Sequence, residues 1–563
     1  MPVARTHSIA LVGVEGYPVE IESDIENGLP CLFLVGLPDT ALREARDRIR
    51  AAIINSREQW PQRRITVGLS PASLPKRGSG FDLGIALSIL AAAGTIPAAA
   101  IDGVAFLGEL GLDGRLRPVR GVLPAVVAAA GAGFREVVVA QANVGEAALV
   151  PGLRVIGAPS LTAMLAWLRA ERESDEAAAV YVSDEDAPSE RPRSPDIEQA
   201  ASGSRRRSRS NSGQNGNSPA GLESRQDREA ARLGSARLAA PSHPCPDLSE
   251  VLGQPVARRA AEICAAGGHH LSLLGPPGAG KTMLAERLPT VMPTLGREEA
   301  LEVTSIHSVA GTLRTGSPLM TDPPFCAPHH SATKAAIVGG GTGILHPGAA
   351  SLAHRGCLFL DEAPEFSRDV LDALRQPLES GEVVVARCGV TARFPARFTL
   401  VLAANPCACA KGTGARSGCT CTPTARRRYL ARLSGPLLDR VDVKVELLPV
   451  TRAELLSDRH FAESSPAVAA RVVAARERAA ARLHGTPWRL NAEIPGSELR
   501  RSFPPAPGSL APLERAMDLG QISARGVDRV IRVAWTLADI AGIARPTVGE
   551  TSYALGLWLG AGT

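Results

Sequence analysis

Eight consecutive residues, Gly275, Pro276, Pro277, Gly278, Ala279, Gly280, Lys281 and Thr282, carry the most specific chemistry in the chain. They match the pattern G-x-x-x-x-G-K-[ST], and they have the context it needs: a strand-like "LSLL" before and a helix-like "TMLAERL" after. Glycines let successive backbone N–H groups curl around phosphate oxygens, and the start of a helix adds a favourable dipole. Lys281 is expected at the β- and γ-phosphates and Thr282 at Mg2+.

Two further stretches fit the same chemistry. The apolar run "GCLFL" stops on adjacent acids, Asp361 and Glu362, where a buried sheet would least accept charge. A strand parallel to the phosphate-loop strand would bring Asp361 to the magnesium and Glu362 to an attacking water. A third apolar run, "FTLVLAANP", ends on Asn405, an amide suited to orient that water. Read alone, the two acids could cap a helix and the Asn-Pro pair could make a turn.

A fourth cluster has metal-ligand character. Cys407, Cys409, Cys419 and Cys421 form two C-x-C pairs in a Gly-rich stretch. Four thiolates could surround a structural Zn2+ and staple the loop, although C-x-C is tighter than the usual spacing. Free thiols are the alternative. The remaining cysteines are scattered, which argues against a disulfide framework.

These residues need elements to position them. At 563 residues the chain exceeds one ordinary core. Hydrophobic residues make up 45% and charged ones 21%, a water-soluble composition, and a net charge of +5 permits nucleic-acid contact without demanding it. The short apolar run at the N-terminus does not suit a secretory signal, and no stretch has the length to span a bilayer, so a cytoplasmic protein with reduced thiols is expected. Residues 1–170 alternate Val/Ile-rich runs with Ala-rich helical stretches, an α/β rhythm. Residues 171–245 turn acidic, then basic and rich in Ser, Gly and Asn, and read as a disordered linker. Residues 246–450 hold the phosphate loop and three buried strands, and 451–563 carry a helical pattern.

With these motifs in order, the chain resembles the AAA+ ATPases and, among them, the magnesium-chelatase-like ComM (YifB) family. The likeness rests on "GPPGAGKTMLAERLP", "EVTSIHSVAG", "PHHSATKAAIVGGG", "PGAASLAHRGCLFLDEAPEF", "RQPLESGEV", "PARFTLVLAANPCAC", "RLSGPLLDRVDV" and "SARGVDRVIRVAWTLADI". It implies an α/β fold: an AAA+ P-loop αβα sandwich with a helix-2 insert, closed by a C-terminal helical lid. It also implies a homo-hexameric ring with ATP between subunits. Arg440 would be the arginine finger reaching a neighbour's site, with Asp439 positioning it, and Arg525 would be a lid arginine sensing the γ-phosphate in its own subunit.

Two insertions mark the helix-2-insert branch. One contains "FCAPHHSATKAAIVGGGTG", suited to a loop facing a ring pore, and the other, "EVVVARCGVTARF", alternates like a hairpin with Arg387 and Arg393 near its turn. In this branch such elements engage DNA, which makes His329, His330, Lys334, Arg387 and Arg393 candidate contacts with the strand backbone, without sequence preference. The implied activity is ATP-driven translocation or branch migration in homologous recombination and DNA uptake. The competing activity is a chelatase-like ATPase that drives metal insertion.

Residues 1–170 resemble the proteolytic domain of Lon through "LPKRGSGFDLGIALSIL" and "FLGELGLDGRLRPVRGVLPAVVAAAGAGFREVVVAQANVGEA". Lon uses a Ser-Lys dyad. Here Gly80 stands at the serine position and Leu123 at the lysine position, and neither is a nucleophile or a base. A scaffold without peptidase activity is expected, Ser79 notwithstanding.

Overall fold

The computed structural model describes residues 3–36, 39–76, 78–170, 181–182, 246–313, 319–341, 345–387, 390–409, 419–433 and 435–560. The expected linker at 171–245 lies outside the described residues except for Tyr181–Val182, which is a strand rather than coil.

Among the described residues, ten strands precede residue 183: β1 (Ala4–Val12), β2 (Glu15–Glu26), β3 (Cys31–Val35), β4 (Arg64–Ser70), β5 (Val104–Leu107), β6 (Glu109–Leu110), β7 (Leu116–Arg117), β8 (Glu136–Ala140), β9 (Arg154–Ala158) and β10 (Tyr181–Val182). Eight of them form one mixed sheet in the order β10-β9-β8-β5-β1-β2-β4-β3, and β6 and β7 pair with each other. In β2 and β4, burial alternates residue by residue, as in a sheet covered on one face. The parallel strands β5, β8 and β9 are buried almost throughout, which explains their unbroken apolar runs. The helix Asp82–Ala92 is buried at every position, and Gly84 lets it lie against β1 and β2: a Cβ there would come within 2.9 Å of Ile21.

Seven more strands follow among the described residues: β11 (Leu271–Leu274), β12 (Phe325–Cys326), β13 (Cys357–Leu360), β14 (Glu382–Arg387), β15 (Val390–Pro395), β16 (Thr399–Ala404) and β17 (Val443–Glu446). Five make a parallel sheet in the order β12-β13-β16-β11-β17, and β14 and β15 make an antiparallel hairpin. The three strands expected from sequence are β11, β13 and β16; β12 is too short to show a period. The strand that ends on the two acids is not the direct neighbour of β11, because β16 lies between them.

From Arg452 on, the described residues contain helices and no strands. The helix Ala524–Ala541 starts at Ser523, whose hydroxyl accepts from Gly526 N, and stops at the left-handed Gly542. Its apolar face, which includes Val530, Val533, Ala534 and Leu537, packs with the helices Pro255–Gly267 and Ser465–Arg482 in the core that also covers β11 and β17. No helix among the described residues is long and apolar enough to cross a membrane.

The two sheets are separate in sequence but adjacent in space. Gly121 N donates to Ser308 O at 3.2 Å, and the Ser308 hydroxyl donates to Glu146. Gly13, left-handed in the β1–β2 turn, lies on β15 so closely that a Cβ would come within 2.7 Å of Arg393 O.

Candidate nucleotide site

The sheet register brings the motif residues to one end. Leu274 pairs with Ala404 and Leu360 with Leu402, so Gly275, Asn405 and Asp361 all leave the C-terminal ends of parallel strands. Ligands of open α/β sheets bind at that end. Gly278 and Gly280 have φ of 77° and 92°, a region open to glycine at low cost, and the helix Lys281–Arg287 starts directly after them. Gln254 braces the loop from behind, its amide donating to Ala279 O at 3.3 Å and Leu448 O at 2.8 Å.

Lys281 is nearly buried. Its ammonium donates to Gly275 O at 2.6 Å, Pro276 O at 3.0 Å and Asn405 Oδ1 at 3.0 Å. Burial lowers its pKa, opposed by the charges of Asp361 and Glu362. The Thr282 hydroxyl donates to Asp361 Oδ2 at 3.0 Å. A hydroxyl and a carboxylate converging beside a phosphate loop are the oxygen donors that Mg2+ prefers, so the residues present fit that ion. Glu362 follows with φ 50° and ψ 43°, a left-handed conformation costing a non-glycine residue about 1–2 kcal/mol. Its N–H donates to Asp361 Oδ1 at 2.9 Å, and its side chain is half-exposed.

Models of three parts of a known family match the chain: "Magnesium chelatase, subunit ChlI" at residues 247–455, "Subunit ChlI of Mg-chelatase" at 21–143, and "Magnesium chelatase, subunit ChlI C-terminal" at 462–557. An uncharacterised protein of Mycobacterium tuberculosis is 46% identical, covering 99% of this chain and 98% of its own. The competence protein ComM of Haemophilus influenzae is 38% identical and YifB of Escherichia coli 39%, each covering 96% of this chain and 94% of its own. The chain belongs to the magnesium-chelatase-like ComM family.

In this ComM-family chain, Arg440 lies far from its own phosphate loop. It leads into the N-terminal end of β17, and β17 runs parallel to β11 with Val443 opposite Leu271, so Arg440 and Lys281 flank opposite ends of one sheet. Glu379 and Pro436 O hold its guanidinium, rather than the expected Asp439. Burial lowers the Arg440 pKa, followed by the like charges of Arg375, Arg525 and Arg529. Arg525, expected at the phosphate loop of its own subunit, lies near enough to Arg440 for its charge to act on it.

The same end holds a buried network. Arg529 donates to Asp442 at 2.8 Å, His269 Nδ1 lies 3.3 Å from Asp442, and His269 Nε2 lies 2.7 Å from the Thr536 hydroxyl. Burial alone would raise the Asp442 pKa, but Arg529 and His269 hold it well below the usual carboxylate range. Sequence reasoning missed this network, since its members come from three separate segments.

The candidate DNA contacts divide. His329 and Lys334 are exposed, and Arg387 is exposed at the end of β14 opposite Val390, so it does flank the hairpin turn. Arg393 does not: it lies opposite Val384, further down the hairpin, and donates to Glu382 at 2.9 Å. The turn itself, 388–389, and residues 342–344 of the glycine-rich insert lie outside the described residues. His330 faces the nucleotide site, with Nδ1 3.4 Å from Glu362 Oε2.

The four cysteines meet although residues 410–418, between the two pairs, lie outside the described residues. One sulfur from each of Cys407, Cys409, Cys419 and Cys421 lies within 4.8 Å of the others, and Cys409 and Cys419 are 3.5 Å apart. A tetrahedral Zn–S4 centre with bonds of about 2.3 Å has sulfurs roughly 3.8 Å apart, so this donor set fits zinc. Hydrogen bonds to the sulfurs of Cys407 and Cys409 push the Cys421 thiol up to about 12.

In the first block, Leu123 is fully buried, and a Cβ at Gly80 would meet nothing within 4 Å. The Ser79 hydroxyl donates to Glu109, and the buried Lys76 ammonium donates to the carbonyls of Pro71 and Leu74.

Proposed function

We propose that this chain is an ATP-hydrolysing ring motor that acts on DNA, with each active site shared between two subunits of a homo-hexamer. The observation that carries the reading is the opposition of Lys281 and Arg440 across one parallel sheet, with Thr282, Asp361 and Asn405 converging on the lysine. An arginine that cannot reach its own phosphate loop would instead serve another copy's.

Lys281 would exchange its loop carbonyls for β- and γ-phosphate oxygens, and Thr282 and Asp361 would hold magnesium. That ion, when bound, would supply positive charge that offsets the charge of the phosphates. Glu362 would accept a proton from the attacking water, with Asn405 orienting it. Arg440 of the neighbouring subunit would stabilise charge on the transferring phosphoryl group, a contribution of about 10³–10⁵ in rate for such arginines. Arg525, whose charge acts on Arg440, would act on the same neighbouring site.

The C-terminal helices are proposed as a lid, and the cysteine cluster as a structural zinc site with no open position for catalysis. Residues 1–170 are proposed as a Lon-like scaffold without peptidase activity, so casein should survive prolonged incubation with the protein and ATP. The exposed His329, Lys334 and Arg387 are proposed to contact the DNA backbone, and Arg393 is subordinate to its ion pair with Glu382.

The motor reading draws on the competence protein ComM, which this chain matches over nearly its whole length. A second reading, an ATPase that drives metal insertion, draws on a magnesium-chelatase 38 kDa subunit of Rhodobacter capsulatus, 29% identical over 31% of this chain. ATP hydrolysis with and without single-stranded or branched DNA separates the two. Stimulation that depends on Arg387 supports the motor, and stimulation only by a porphyrin-handling partner supports the chelatase-like activity.

A further inference from the structure

A cavity of about 770 Å³ lies at the end of the parallel sheet away from the phosphate loop. His270, Gly356, Phe398 and Asp442, the residues directly before β11, β13, β16 and β17, all line it. The facing wall comes from the helices Ser465–Arg482 and Ala524–Ala541, through Arg476, Arg529 and Arg532, and from Trp488 and Leu490 between them. Its size suits a small organic ligand.

The charges in this cavity do not cancel. Six arginines line it against four acids. Each acid already has a partner in the protein: Glu299 has Arg355 at 3.2 Å, Glu379 has Arg440, Asp442 has Arg529 at 2.8 Å, and Glu493 accepts from Arg489 N at 2.8 Å and Leu490 N at 3.2 Å. Arg397, Arg476 and Arg532 have no carboxylate partner among the described residues. Arg476 donates from Nε and Nη2 to Ala265 O at 3.0 and 2.6 Å, and Arg532 from Nε to Ile494 O at 2.7 Å. Nη1 of Arg476 and both terminal nitrogens of Arg532 are left without a partner among the described residues. Burial pushes the Arg476 guanidinium down to about 10 and lowers that of Arg532, yet both stay charged at pH 7. A partly buried cation with no counter-charge is costly, and an oxyanion that accepts from its fork offsets that cost.

The uncharged lining is equally specific. His270 Nδ1 accepts from Leu400 N at 3.1 Å, and burial pushes its pKa down to about 4, so the neutral ring keeps its proton on Nε2 as a donor. Trp488, Phe398, Met292 and Leu490 add apolar surface, and the indole N–H of Trp488 has no partner among the described residues.

We propose that this cavity is a second anion site, separate from the phosphate loop, and that it takes a small phosphate ester carrying an aromatic ring, of the size of a nucleoside monophosphate. Arg476 and Arg532 take the phosphate, the exposed Arg397 adds attraction at the rim, and Trp488 takes the ring. A phosphate monoester carries about −1.5 to −2 charges at pH 7, which matches the excess of arginines over acids. Arg440 and Arg525 do not line the cavity, so the inference does not depend on the shared active site.

The test is equilibrium dialysis of the full-length protein against radiolabelled GMP, with Mg2+ and an excess of a non-hydrolysable ATP analogue to fill the phosphate loop. Wild type should retain one GMP per chain, and guanosine should not displace it. Arg476→Ala and Arg532→Ala should each weaken GMP binding about tenfold or more, the scale of a hydrogen bond to a charged group. Arg397→Ala, at an exposed position, should weaken it about two- to fivefold. Trp488→Ala should weaken GMP about fivefold or more and leave the competition by inorganic phosphate unchanged. Lys281→Ala, which damages only the phosphate loop, should retain GMP as wild type does. Melting curves show which variants fold, and if either buried-arginine variant does not, Arg397→Ala and Trp488→Ala carry the decision. The proposal is overturned if wild type retains no GMP at millimolar concentration, if guanosine or inorganic phosphate binds as tightly as GMP, if Lys281→Ala abolishes retention, or if the folded arginine and tryptophan variants bind GMP as wild type does.

Discussion

The two ends of the parallel sheet differ in the company their charges keep. At the C-terminal end, Lys281 contacts Asn405 and the phosphate loop and Thr282 contacts Asp361, the donors and acceptors proposed to bind a triphosphate and magnesium. At the N-terminal end, Arg440 is grouped with Arg375, Arg525 and Arg529, and Glu379 and Asp442 offset only part of that charge. In the proposed reading, one end would collect a polyanion and the other would offer cations to another copy's ligand. The two ends are separated by about 13 Å of four-residue strand.

The largest expected effect tests that division. Arg440→Ala should reduce kcat by about 10³-fold or more while ATP binding stays within a few-fold of wild type. If binding and turnover fall together, the two ends are not independent. Asp442→Ala probes the structural half of the arginine end. Removing one partner of a buried charge pair should cost about 3–5 kcal/mol of stability at pH 7. Because the folded pKa of Asp442 lies below its unfolded value of about 3.9, the pair's contribution is full above that value and disappears as pH falls. The stability gap between wild type and Asp442→Ala should therefore narrow below about pH 4 in acid unfolding curves.

Smaller effects sharpen the phosphate end. The cysteine cluster begins two residues after Asn405, so metal analysis should find one zinc per chain in wild type and none in Cys409→Ser. The variant should melt about 5 °C lower, since a metal that binds only the folded loop stabilises it. The smallest change is expected for Arg387→Ala, which should weaken DNA binding without altering sequence preference and lower the salt slope by about 0.7 for a single strand.

The phosphate end was readable in the sequence because its chemistry is local. The loop from Gly275 to Thr282 is contiguous, and Asp361 and Asn405 directly follow apolar runs whose burial any parallel sheet would require. The arginine end was readable only as a list. Arg440 could be named from "GPLLDRVD", but its partner Glu379 lies 61 residues away, and no spacing rule connects Arg525 to it. The same reason explains Arg393 and His330. Both were assigned by the charge and exposure their neighbourhoods suggested, and both proved to be engaged by tertiary partners, Glu382 across the hairpin and Glu362 across the fold. Alternation located the hairpin, but register, set by the pairing of Arg387 with Val390, decided which arginine flanks the turn.

The division between the two ends is tested most directly by mixing two inactive variants. Lys281→Ala keeps its arginine end and loses the phosphate end, and Arg440→Ala keeps the phosphate end and loses its arginine. Each alone should hydrolyse almost no ATP. Mixed rings place an intact phosphate loop beside an intact arginine at some interfaces, so a substantial fraction of wild-type turnover should return and should vary with the mixing ratio. Turnover in the mixture no greater than the sum of the separate variants, although mixed rings form, would contradict the shared site.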